Sequence, residues 1–101
     1  MSVTCTGRDR VLRAEVSGEV DHHGAKEIMG ELERGIDAAL PRRLTLDLGG
    51  VTFMDSSGIA VVLRAYRRLG ELGGELRVCN IPDQAGRVLR AAGVDRLIPF
   101  E

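Results

Sequence analysis

Two short runs hold residue types suited to chemistry, Asp21-His22-His23 and Asp55-Ser56-Ser57-Gly58. An aspartate beside two histidines is raw material for a metal site. Metal catalysis needs several further Asp and His ligands converging from elsewhere in the chain. His22 and His23 are the only histidines, and neighbours on a helix point to different sides. The run reads better as a helix start, with Asp21 as N-cap and the histidines in the first turn. A serine hydrolase is a poor fit as well. Met54-Asp55-Ser56-Ser57-Gly58 lacks the Gly-x-Ser-x-Gly elbow. A triad base would have to be His22 or His23, and no oxyanion loop is evident. Gly49-Gly50 and Gly73-Gly74 read as turn and helix-end glycines; no Gly-Lys-Ser/Thr follows to make a phosphate loop. Cys5 and Cys79 have no second cysteine at metal-ligand spacing and make no disulfide framework. They read as small buried or half-buried thiols. The expectation is a protein that is not an enzyme and holds neither metal nor cofactor.

The serine run has chemistry of a different kind. Asp55, Ser56 and Ser57 are all N-cap formers. A helix N-terminus offers unpaired N–H groups and the positive end of the macrodipole. An anion there is stabilised by about 0.3–1 kcal/mol when exposed. A phosphate on serine would therefore be tolerated, and it would add about -1.5 to -2 charges to the local surface. Phe53 and Met54 are expected to supply apolar area for a partner to grip. A phosphate beside that area would be costly to desolvate and would switch binding off. The plainer account is that Ser56 and Ser57 only cap a helix.

These runs sit at junctions between elements of different period. Leu12, Ala14 and Val16 alternate with Arg13 and Glu15; Leu44, Leu46 and Leu48 with Thr45 and Asp47; Leu76 and Val78 with Arg77 and Cys79. Each reads as a strand with one apolar face. A shorter strand at 3–5 precedes them as a hairpin partner. Helical stripes intervene: Ala25, Ile28, Met29, Leu32, Ile36 and Ala39; then Ile59, Val62, Leu63, Tyr66 and Leu69; then Ala85, Val88, Leu89 and Ala92. The second helix should stop near 70–74. Pro82 near the start of the third and Gly93 just past its end fit the usual asymmetry. A last strand is expected over 97–100. The order β-β-α-β-α-β-α implies mostly parallel pairing. Alternating strands, rather than continuous apolar runs, argue against a sheet covered on both faces. The expected fold is α/β in two layers: a small, mostly parallel mixed sheet with helices on one face. The other face carries Arg13, Glu15, Thr45, Asp47 and Arg77.

Composition narrows the partners. The chain has 101 residues, enough for one domain spanning 1–101. Net charge is -1, so no basic surplus is available to neutralise nucleic-acid phosphates. Phe53, Tyr66 and Phe100 are the only aromatics, too few for base-stacking platforms. No apolar stretch approaches the ~18 residues of a membrane span. Met1-Ser2-Val3-Thr4 lacks a charged region followed by an apolar run, so no signal peptide is read. The expected location is cytoplasmic, with no nucleic-acid partner and no membrane insertion.

Taken together, the two runs resemble a known family. Phe53-Met54-Asp55-Ser56-Ser57-Gly58-Ile59-Ala60-Val61-Val62-Leu63, followed by Tyr66, resembles the signature of the STAS-domain anti-sigma factor antagonists. Gly18-Glu19-Val20-Asp21-His22-His23 matches a second family segment, and its pairing with Met-Asp-Ser-Ser-Gly is similar to the SpoIIAA type. Gly73-Gly74-Glu75-Leu76 and the turn from Cys79 to Pro82 also fit. Either motif alone is weakly specific; together, in order, they cover nearly the whole chain. The resemblance implies a two-layer STAS fold and a phosphoprotein switch with Ser56 as phosphoacceptor. Its unphosphorylated form would bind an anti-sigma factor that is also a serine kinase, releasing the sigma factor. The kinase would supply ATP and Mg²⁺, and a PP2C-type phosphatase would restore the active form. The expected contact surface is Asp21, Phe53, Met54, Asp55, Ser57, Gly58 and Ile59, with Ser57 and Gly58 shaping the helix start and Asp21 brought near by the clustering of strand-to-helix loops at one sheet end. Asp-His-His leans towards a sporulation partner. Members often continue into a last helix, whereas this chain stops at Phe100-Glu101. A rival reading is a STAS scaffold or accessory subunit, in a stress-signalling assembly or a lipid-transport complex, with no kinase-dependent loss of binding.

Overall fold

The computed structural model describes residues 2–101. The elements are β1 (Ser2–Arg8), β2 (Val11–Val20), α1 (His22–Ala39), β3 (Arg43–Met54), α2 (Ser57–Glu71), β4 (Glu75–Cys79), α3 (Asp83–Ala91) and a 3-10 turn at Val94–Arg96. One sheet holds the strands in the order β1-β2-β3-β4. β1 runs antiparallel to β2, and the β2–β3 and β3–β4 pairs are parallel. The three helices cover one face. The alternation dictates which face: Leu12, Ala14, Val16, Leu44, Leu46, Leu48, Leu76 and Val78 are all buried beneath the helices. Ala25, Ile28, Leu32 and Ile36 of α1 close over them. Each large side chain hidden this way contributes about 1.5–3 kcal/mol.

Three expectations need correction. First, the buried stripe of α2 is rotated. Val61, Val62, Ala65 and Leu69 face the core, while Leu63 and Tyr66 are exposed. Periodicity permits either stripe. Burying Tyr66 would demand an internal partner for its hydroxyl, whereas small Ala65 makes no such demand. Second, no strand forms over 97–100. Phe100 makes a single parallel bridge to Val78, in which the Val78 N–H donates to the Pro99 carbonyl at 3.0 Å. Pro99 has no N–H with which to extend a ladder. Third, Gly49-Gly50 is not a turn but lies inside β3. The register against β2 shifts between Glu15 and Ser17 and again between Gly18 and Glu19, so β3 carries two extra residues. Bulges of this kind re-aim side chains. Here the first turns Val51 inward and the second brings Met54 back onto the buried face of Leu44, Leu46 and Leu48. A Cβ on Gly50 would come within 2.7 Å of the Ser17 Cβ, so the close strand approach requires glycine.

The open sheet face is held by ion pairs. Asp47 accepts from the Gly49 N–H at 2.8 Å, from Asn80 at 3.1 Å and from Arg13. Arg77 reaches Glu101 at 2.9 Å. Burial opposes ionisation of Asp47, but the bonds from Gly49, Asn80 and Arg13 outweigh it and hold its carboxyl below the usual range. A depressed folded pKa stabilises the fold above the unfolded value and loses that contribution as pH falls through the folded one. The wild-type urea midpoint is expected to fall as pH drops below about 4, more steeply than that of Asp47→Asn. Parallel profiles for the two proteins would remove Asp47 from the account.

Candidate functional site

The two runs singled out in the sequence meet at one end of the sheet. Val20, the last residue of β2, pairs with Met54, the last residue of β3. The Asp55 N–H donates to the Val20 carbonyl at 3.1 Å. Asp21 and Asp55 therefore leave adjacent strand ends, and each starts a helix. Carboxyl ends of parallel strands are where α/β sheets present functional groups.

Each aspartate caps its own helix. Asp21 Oδ1 accepts from the Gly24 N–H at 2.7 Å, as expected for an N-cap. Asp55 Oδ1 accepts from the Ser57 N–H at 2.8 Å. The Gly58 N–H donates to the Asp55 carbonyl at 3.0 Å, and the Ile59 N–H to the Ser56 carbonyl at 3.1 Å. The N–H groups of Ser57, Gly58 and Ile59 are thus all occupied, which corrects the expectation of unpaired donors for a phosphate. Ser56 is the residue before α2, already helical at φ -61°, and its side chain makes no capping bond. Asp55 does the capping, so the Ser56 hydroxyl is left exposed and uncommitted.

The other expected residues divide. Phe53 is 44% exposed, and Ile59 is half-buried. Asp21, Asp55 and Ser57 are half-buried around them. Met54 is only 1% exposed, so the expectation that it offers apolar area to a partner is corrected: β3 runs on to Met54 and places it on the core face with Leu44, Leu46 and Leu48. Gly58 is buried against it. A Cβ there would lie 2.5 Å from Met54 Sδ. Gly58 and Met54 therefore shape the helix start from beneath.

Gln84 is a further residue of this end of the sheet, outside both runs. It sits in the first turn of α3. Its Oε1 accepts from the Met54 N–H at 2.8 Å, and its Nε2 donates to the Met54 carbonyl at 2.6 Å. No local signal marks it, because its partner lies 30 residues away in the chain.

The STAS domain family profile matches residues 2–101. An anti-sigma F factor antagonist of Paenibacillus polymyxa is 33% identical over 90 residues, spanning 89% of this chain and 77% of that protein. The chain belongs to the STAS-domain anti-sigma factor antagonist family. An anti-sigma factor antagonist from Mycobacterium paratuberculosis superposes with a TM-score of 0.86 at 26% identity, over 98% of this chain and 83% of that one. SpoIIAA in its unphosphorylated form gives a TM-score of 0.82 at 22% identity, over 99% and 88% of the two chains. The phosphorylated form of the Bacillus protein gives 0.73 at 22% identity, over 99% and 91%. In this STAS domain no group of three His, Cys, Asp or Glu could hold a metal among the described residues. Nor is any helix among them long and apolar enough to cross a membrane.

Proposed function

We propose that this STAS domain is a phosphorylation-controlled anti-sigma factor antagonist acting in the cytoplasm. Its unphosphorylated form binds an anti-sigma factor with serine kinase activity and so frees the sigma factor. The kinase transfers the γ-phosphoryl group of ATP to Ser56 Oγ; ADP leaves and the hydroxyl proton is released. A PP2C-type phosphatase hydrolyses the ester and resets the switch. The observation that carries this reading is the Ser56 hydroxyl, exposed and spared from capping by Asp55. The relation to SpoIIAA, known in both forms, supports it.

The electrostatics suit an off-switch. Asp21 and Asp55 already occupy the two helix starts. A phosphate at Ser56 finds no free first-turn N–H at Ser57, Gly58 or Ile59, so its charge stands in solvent beside two carboxylates. Any partner covering Phe53 and Ile59 must then desolvate that charge.

Phosphopeptide mapping of residues 52–64, from native cells sampled across growth, tests the switch. Ser56 phosphate whose occupancy changes with growth phase is the expected result. A persistently bare Ser56 with full peptide coverage would favour the passive scaffold.

A further inference from the structure

We propose that Gln84 is the positioning residue of the Ser56 turn, acting from α3 through the backbone of Met54; the proposal rests on Ser56 being the phosphoacceptor. The β3–β4 ladder ends at the pair Asp47–Cys79. Beyond it β3 runs on to Met54 with no strand on that side. A backbone N–H and carbonyl there need partners, because unpaired buried polar groups are costly. The Gln84 side-chain amide supplies both at Met54, at 2.8 and 2.6 Å. Only one orientation of the amide works, since the flipped form would set donor against donor and acceptor against acceptor.

The other side of the turn is fixed by β2, where the Asp55 N–H bonds to Val20. Met54 is anchored from beneath by burial against Gly58. The chain is therefore held on both edges and below, immediately before Ser56 leaves it. Gln84 is the one of these holds that comes from α3, whose Leu89 is buried in the core and whose half-buried Val88 packs against it. The geometry ties the aim of the Ser56 hydroxyl to the seating of a helix far away in sequence.

The test compares ¹⁵N-labelled wild type, Gln84→Leu and Gln84→Glu by amide chemical shift and hydrogen exchange. Gln84→Leu removes both bonds. Exchange at Met54 is expected to accelerate about five- to tenfold, with shifts spreading to Asp55, Ser56 and Ser57 and little change at Leu89 or Val78. Gln84→Glu is the discriminating variant. Its carboxylate can accept from the Met54 N–H but has no proton to give the Met54 carbonyl. Once protonated at acid pH it becomes a donor again. The Met54–Ser57 perturbation is expected at neutral pH and should recede on acidification, against wild type at each pH. A merely structural role would shift α3 uniformly and show no return. Unmoved amides from Met54 to Ser57 in both variants would overturn the proposal. A kinase that phosphorylates wild type should show a lower kcat on Gln84→Leu, with KM much less affected. Equal kcat on the two proteins would also overturn it. If no kinase phosphorylates wild type while the amides respond as described, the Ser56 reading fails and the clamp stands.

Discussion

Ser56→Ala is expected to keep its melting temperature, to keep binding the anti-sigma factor and to take up no phosphate. The first expectation is structural. The Ser56 side chain makes no capping bond and is exposed. Exposed substitutions away from caps and cores usually change stability by no more than about 0.5 kcal/mol. Had Ser56 been the cap, the loss would be about 0.5–2 kcal/mol, and a binding defect could be mistaken for unfolding. The substitution is therefore a clean probe of the switch. Ser56→Asp should lower affinity by about tenfold, the equivalent of about 1.4 kcal/mol, because a buried unpaired carboxylate is costly but carries less charge than phosphate. Calorimetric titration against the anti-sigma factor reads both variants. Phosphate incorporated into Ser56→Ala would move the site elsewhere, and wild-type affinity in Ser56→Asp would contradict a block by charge.

Gly58→Val should cause the largest loss of stability among these substitutions. Its Cβ alone would fall 2.5 Å from Met54 Sδ and 2.9 Å from Cε. Met54 has little room to retreat: it is 1% exposed, and the void it borders with Val20, Leu48, Gly58 and Val62 is only about 10 Å³. Overpacking a filled core costs about 1–3 kcal/mol. In a domain of this size that lowers the melting temperature by roughly 4–8 °C per kcal/mol. Gly58→Ala should fall between the two, since one methyl meets the same sulfur but adds no branches. Relief of the clash must push either Met54 or the start of α2, and both carry the Ser56 turn. Loss of partner binding should therefore accompany loss of stability. An unchanged melting temperature for Gly58→Val would show that Met54 repacks freely and that the turn is not anchored from below.

Much of this architecture is legible in one sequence because its causes are local. Leu12, Ala14 and Val16 alternate in the chain and, since strand side chains alternate in space, they share a face. Asp21 three residues before the Gly24 N–H is a cap by spacing alone, and the structure has that bond. The motif at Asp55 likewise lies at its helix start. Where the sequence misleads, the deciding contact comes from another segment. Met54 looks like a surface hydrophobe next to Phe53. β3 runs on past Leu48 to Met54, and because its two bulges cancel in parity Met54 keeps the buried face of Leu44, Leu46 and Leu48 while Phe53 stays exposed. The α2 stripe is ambiguous by period, and packing on the sheet and α1 selects Ala65 over Tyr66.

The strand faces, the helix order, the Asp21 cap and the family are legible in the chain alone, because each depends on residues close together or on a motif read in order. The assembled fold is what makes Asp55 rather than Ser56 the cap, buries Met54 in the core and brings Gln84 to the turn. The capping choice is a competition between neighbouring side chains for the same few N–H groups, and spacing alone does not decide it. The burial of Met54 depends on how far β3 stays paired with β2, and the reach of Gln84 on a contact across 30 residues; both exist only once the sheet and α3 are assembled.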